Sequence, residues 1–138
     1  MKRTLFVALL LTCSVALFAS CGQTKDWHLS EQCMKTLNDR YPNARILDVD
    51  YDDGMVDVEI RHDKKEKEVL FTKSCEWLST SWDVAKRNVP DVVMQALQQK
   101  YPNARIDDID FIEMPQGSYY RFEIERRGQQ DEYVYITP

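Results

Sequence analysis

The sequence predicts an α+β protein: two tandem helix-plus-antiparallel-sheet repeats, ordered α-β-β-β-β-α-β-β-β, sharing one sheet with both helices on one face. Three observations predict it. The hexapeptide Tyr-Pro-Asn-Ala-Arg-Ile occurs at residues 41–46 and again at 101–106, so one unit recurs sixty positions on. Each copy is preceded by an apolar stripe of helical period, and each is followed by short runs in which apolar and charged residues alternate.

Residues 30–40 form the first predicted helix, capped by Ser30, with Cys33, Met34, Leu37 and Tyr41 at three- and four-residue spacing. In the second copy Asn88 or Asp91 starts the helix, Pro90 sits in its first turn, and Val93, Met94, Leu97 and Tyr101 make the stripe. Pro42 and Pro102 push the preceding tyrosine out of helical geometry, so the repeated hexapeptide is a helix stop followed by a strand start.

Strands follow in each unit. Val49, Tyr51, Val56, Val58, Ile60, Val69 and Phe71 occupy one phase in the first copy; Ile109, Phe111, Tyr120, Phe122, Ile124, Tyr133 and Tyr135 occupy it in the second. That phase predicts the covered face. Asp48, Asp50, Asp57, Glu59, Asp108, Asp110, Glu123 and Glu125 occupy the other, which predicts a wet one. Asp53-Gly54 marks a tight hairpin, Pro115-Gln116-Gly117 its longer counterpart, and Gly128 a further turn. The first copy has a fourth strand at residues 76–81, whose counterpart is expected to be missing from the second. The units are read as residues 29–84 and 85–138, and each is small enough to need the other for a sufficient core.

Ahead of them, Lys2 and Arg3 precede an apolar run over residues 5–18, the pattern of a signal peptide spanning residues 1–20. Phe18-Ala19-Ser20-Cys21 resembles a lipobox, with Phe18 where Leu is usual; it implies lipid attachment at Cys21 and a tether over residues 21–28. The chain is therefore expected in the periplasm or cell envelope, lipid-anchored to the outer membrane and touching membrane only through that anchor.

Lys and Arg number 18 against 23 Asp and Glu, a net charge of −5 that excludes the clustered basic surface nucleic acid requires. With the signal peptide and the lipid-committed Cys21 set aside, Cys33 and Cys75 remain. Export permits a disulfide between them, but the helical phase of Cys33 reads more simply as a small buried hydrophobe. Spacing alone does not set the Cα separation a bridge needs.

The helix ending in Lys100-Tyr101-Pro102-Asn103-Ala104, its twin Arg40-Tyr41-Pro42-Asn43-Ala44, and the strand pair Val69-Leu70-Phe71 and Glu76-Trp77-Leu78 resemble the PepSY-like family of Bacteroidota envelope proteins, also described as β-lactamase-inhibitor-like. The resemblance covers nearly all of residues 29–138. It implies tandem helix-plus-sheet repeats and, in the inhibitor relatives, an open sheet face that binds protein. It carries no catalytic residues, and Cys75 stands where a turn glycine is usual.

Catalysis lacks a constellation. His28 falls in the tether and His62 at a strand end, so the one Cys-His pairing is Cys75 with His62, with no orienting group. The chain has no His-Glu-x-x-His or paired Cys-x-x-Cys spacing for zinc, and no glycine is left for a phosphate loop, so no metal or cofactor is expected. Asp48, Asp50, Asp108 and Asp110 could offer oxygen to Ca²⁺ or a small ligand, but flat strands rarely converge enough ligands. A solvated face with Arg45, Arg61, Arg105 and Arg121 as cross-strand partners is the simpler reading. Trp77, Trp82 and Tyr119 do not fit the covered phase cleanly; with Arg121 they are candidates for a protein-binding surface, although junction packing competes for both tryptophans. The function expected is thus a non-enzymatic exported lipoprotein that binds, and in one version inhibits, an unidentified envelope protein through the exposed sheet face or the last strand's edge. The alternative is a small-ligand or Ca²⁺ module using the acidic patches.

Overall fold

The structure, a computed structural model, describes residues 28–138 apart from Arg127 and Gln129. The expected signal peptide, the Cys21 attachment point and most of the tether lie outside the described residues. Helix α1 (Glu31–Arg40) leads into β1 (Arg45–Asp52), β2 (Met55–His62), β3 (Lys65–Thr72) and β4 (Trp77–Asp83). A 3-10 turn (Lys86–Asn88) then enters α2 (Asp91–Lys100), followed by β5 (Arg105–Met114), β6 (Gly117–Glu125) and β7 (Glu132–Ile136). The strands form one sheet in chain order, every neighbouring pair antiparallel.

Local chemistry explains the boundaries. Ser30 Oγ accepts the Cys33 amide at 3.2 Å and so satisfies one of the unpaired donors at the start of α1. The helices end alike: Tyr41 and Tyr101 leave helical geometry, and Ala44 and Ala104 donate to their carbonyls at 3.1 Å in both copies. Each junction feeds a strand that bulges at the same place, between Ile46 and Asp48 and between Ile106 and Asp108. Asp53 and Gly54 both take positive φ, the tight hairpin expected. The β2–β3 hairpin repeats this at Asp63 and Lys64 without a glycine. The 115–117 segment differs from expectation. Met114 pairs with Gly117 across a two-residue turn, so the hairpin is tight and the longer loop expected there does not form.

Two buried clusters lie on the helix-covered face. Leu37 of α1 and Tyr41 at its C-cap pack on Val56, Val58, Ile60, Val69 and Phe71. Val93 and Leu97 of α2 pack on Ile109, Tyr120, Phe122, Ile124 and Val134. Phe71 and Phe122 are fully buried at the centres of the two, each stabilising by about 2–3 kcal/mol through area removed from water.

Two aromatics depart from the expected phase, and a third keeps its phase but not the expected burial. Val134 sits opposite Phe122, so β7 enters the sheet one residue out of the assumed register and turns Tyr133 and Tyr135 to the helix-free face, 51% and 58% exposed. Tyr51 is opposite Val56 on the helix side as expected, yet it is exposed, and its hydroxyl donates to the His28 carbonyl.

Cys33 and Cys75 form a disulfide, with Cα atoms 4.7 Å apart. The reading of Cys33 as a free buried hydrophobe is therefore corrected. Packing of α1 lays Cys33 over the β3–β4 turn, where Cys75 takes φ 66° at the position a glycine was expected to occupy.

Candidate functional site

The helix-free face of the sheet divides by chemistry. Its first half is acidic: Asp48 and Asp50 on β1 pair with Glu59 and Asp57 on β2, and Glu59 pairs with Glu68 on β3. Asp57 is half-buried. Its Oδ1 is buried without a partner, and burial, then a hydrogen bond and repulsion from Glu68, push its pKa up to about 7. A recess of ≈ 180 Å³ at the β3–β4 junction continues the acidic half, lined in part by Glu59, Glu66, Glu68, Ser81 and Asp83.

The second half is aromatic. Tyr119 on β6 lies opposite Ile112 on β5 and meets Tyr135 edge to face at 5.5 Å, its hydroxyl 2.7 Å from Met114 Sδ. Arg121, opposite both Asp110 and Tyr135, places its guanidinium 5.5 Å from the Tyr133 ring. Two of its nitrogens donate to Asp110 Oδ2, at 2.9 and 2.7 Å. This fixes the cation between the two exposed tyrosines. Asp110, expected in the wet acidic patch, is instead only 8% exposed, because Arg121 and the neighbouring strands cover it.

The structure thus brings together Tyr119, Arg121 and Asp110 and keeps Asp48, Asp50 and Asp108 on the same face. Trp77 and Trp82 do not join them. Trp77 packs against the first core cluster, donates to Thr80 Oγ1 at 2.9 Å and carries the Arg40 guanidinium over its ring. Trp82 sits opposite Phe111 on the helix side. The bland reading of the arginines holds for three: Arg61 pairs with Glu66, Arg105 with Glu125 and Arg121 with Asp110, all cross-strand partners. Arg45 faces Arg61 instead.

Asp83, Asp108 and Asp110 bring carboxylate oxygens within 4.8 Å of one another. The Asp83 pKa is raised by burial and by Asp108 and Asp110. Arg121 already supplies a positive charge there. The Cys75–His62 pairing considered for catalysis does not exist, because the Cys75 sulfur is bonded to Cys33. Sequence reasoning missed Tyr133 and Tyr135, and the available signal was Val134 between them, an aliphatic residue flanked by amphipathic ones.

A family model described as beta-lactamase-inhibitor-like, PepSY-like matches residues 55–136. The chain belongs to this family. The match crosses the assumed boundary between units at 84/85, and it covers the sheet from β2 onward. Among solved structures, this PepSY-like chain is similar to a BLIP-like protein from Bacteroides fragilis, at 24% identity and TM-score 0.70, with 78% of each chain covered. A DUF2874 family protein from Bacteroides uniformis aligns at 17% identity and TM-score 0.69, over 79% of this chain and 82% of that one. A protein from Bacteroides eggerthii, whose assigned name gives an expected periplasmic location, aligns at 16% and TM-score 0.68, over 80% and 82%. These likenesses establish the PepSY-like fold. No curated protein matches. Among the described residues no helix is long and apolar enough to cross a membrane.

Proposed function

We propose that this PepSY-like chain is a non-enzymatic, exported, lipid-anchored protein that binds another envelope protein through the helix-free face of its sheet, with inhibition as one consequence of that binding. The observation that carries the reading is the aromatic half of that face: Tyr133 and Tyr135 stand exposed beside Tyr119, with Arg121 pinned between strands by Asp110. Tyrosine and arginine concentrate binding energy because each combines a broad apolar area with a polar tip at modest entropic cost. Beside them, Asp48, Asp50 and Glu59 favour a partner with basic residues next to an apolar contact. The name of the Bacteroides fragilis relative, BLIP-like, agrees with a binding role. The periplasmic name of the Bacteroides eggerthii relative supports an envelope location.

We further infer that the chain is one unit used twice, supported by the identical hexapeptide, the matching helix ends and the bulges at equivalent positions. Duplication then joins two insufficient cores through one sheet.

The test is affinity capture from Bacteroides envelope extracts with residues 22–138, in parallel with the doubly substituted Tyr133→Ser, Tyr135→Ser form. A protein retained by the first and lost from the second is expected. Equal retention by both would remove the aromatic half from the interface. The cation alternative rests on the Asp83, Asp108 and Asp110 cluster. It requires a calcium-dependent rise in melting temperature that disappears on charge reversal at Asp108 and Asp110.

A further inference from the structure

On the covered face, the buried sheet residues under α1 come from β2 and β3 and those under α2 from β5, β6 and β7, with the central strand β4 between them. A cleft of ≈ 220 Å³ opens beside Trp82, lined by Lys65, Trp82, Asp83, Val84, Asn88, Phe111 and Tyr120. Its floor is an aromatic row crossing three strands. Trp82 lies opposite Phe111, and Phe111 opposite Tyr120. The ring centroids are 5.0 and 4.9 Å apart along the row. Tyr120 is largely buried, whereas Trp82 and Phe111 remain partly open.

The wall beside Trp82 is cationic, against the pattern of the strand that supplies it. Along β3 the helix-side positions read Phe71, Val69, Lys67 and Lys65, so two lysines occupy the phase that is apolar in the rest of the strand. Lys67 Nζ lies 4.3 Å from the Trp82 ring centroid and 5.0 Å from that of Tyr41; Lys65 Nζ lies 5.8 Å from Trp82. Burial lowers the Lys67 pKa against the opposing pull of Glu113. Neither ammonium has a carboxylate within ion-pair distance among the described residues. Asp83 also lines the cleft, but it pairs in register with Asp110 and its carboxylate lies within 4.8 Å of those of Asp108 and Asp110, on the other face. A partly dehydrated ammonium that lies against aromatic rings, attracted by Glu113 and Asp63 but ion-paired with neither, favours an incoming anion.

We propose that this cleft binds a small organic acid, its carboxylate against Lys65 in the lining and Lys67 beside the Trp82 ring, and its apolar body along Trp82, Phe111 and Tyr120. The aromatic floor selects against inorganic anions, and the lysines select against neutral apolar molecules. The site lies across the sheet from the protein-binding face proposed above and does not depend on it.

The probe is 3-phenylpropionate, with the neutral 3-phenylpropan-1-ol as its control, titrated into residues 22–138 while the Trp82 indole resonance is followed by NMR. A saturable shift of that resonance is expected, with Kd on the order of 1 mM for a ligand of this size. The alcohol should bind about tenfold more weakly, the loss of one charge-assisted hydrogen bond. Lys67→Met keeps the apolar stem and should weaken the acid by a similar factor while leaving the alcohol unchanged. Equal binding of acid and alcohol to the unsubstituted protein, or no saturable shift at Trp82, would overturn the proposal without any variant having to fold.

Discussion

The Tyr41 hydroxyl donates to Thr80 Oγ1 at 2.8 Å, tying the end of α1 to a fully buried position in β4. Thr80 Oγ1 also accepts from Trp77 Nε1. One hydroxyl therefore serves two donors that the sheet has removed from water. Tyr101, the same residue in the second hexapeptide, instead donates to Glu132 at 2.7 Å. Thr80→Val preserves shape but strands both donors, and a loss of about 2–3 kcal/mol is expected by urea denaturation. Tyr41→Phe removes one donor with its bond and should cost about 1 kcal/mol.

The Cys33–Cys75 bridge closes a loop of sequence separation 42 between α1 and the β3–β4 turn. Removing that constraint from the unfolded chain should cost about 4 kcal/mol on the chain-entropy estimate. The paired Cys33→Ala, Cys75→Ala substitution should melt well below the oxidised protein and close to the protein treated with reductant. Melting that is indifferent to reductant would contradict the bridge.

Asp57 gives the protein a pH dependence of defined sign. Its folded pKa of about 7 lies above the ordinary 3.8, so the folded state holds the proton more tightly. The favourable contribution is complete below about pH 4 and is lost as pH rises through about 7. Asp57→Asn should therefore raise the melting temperature at about pH 8 and change it little at about pH 4, where the native carboxyl is already neutral.

Arg121 and Asp110 behave as a unit because Asp110 is nearly buried. Arg121→Met should cost about 3 kcal/mol by leaving a covered carboxylate unpaired. Adding Asp110→Asn should recover much of that loss, and a double-mutant cycle measures the coupling.

Most of the architecture is legible in the chain because its causes are local. Pro42 and Pro102 stop helices wherever they stand, Asp53-Gly54 makes a tight turn, and Val56, Val58 and Ile60 alternate visibly. The candidate site was half legible. Tyr119 and Arg121 stand out of phase in β6, whereas Tyr133 and Tyr135 look like core until the pairing of Val134 with Phe122 is known. A five-residue strand, Glu132–Ile136, offers too little period to fix its own register.

By itself the sequence determined the number and order of helices and strands, the repeated junction and the acidic character of the first half of the open face, since these depend on backbone preference and charge. Only the tertiary structure decided which face carries Trp82, that Cys33 reaches Cys75, that Asp110 is covered by Arg121, and that β7 turns its tyrosines outward. Each of these is a relation between segments distant in the chain. Helix packing and strand register set it, and no local pattern encodes either.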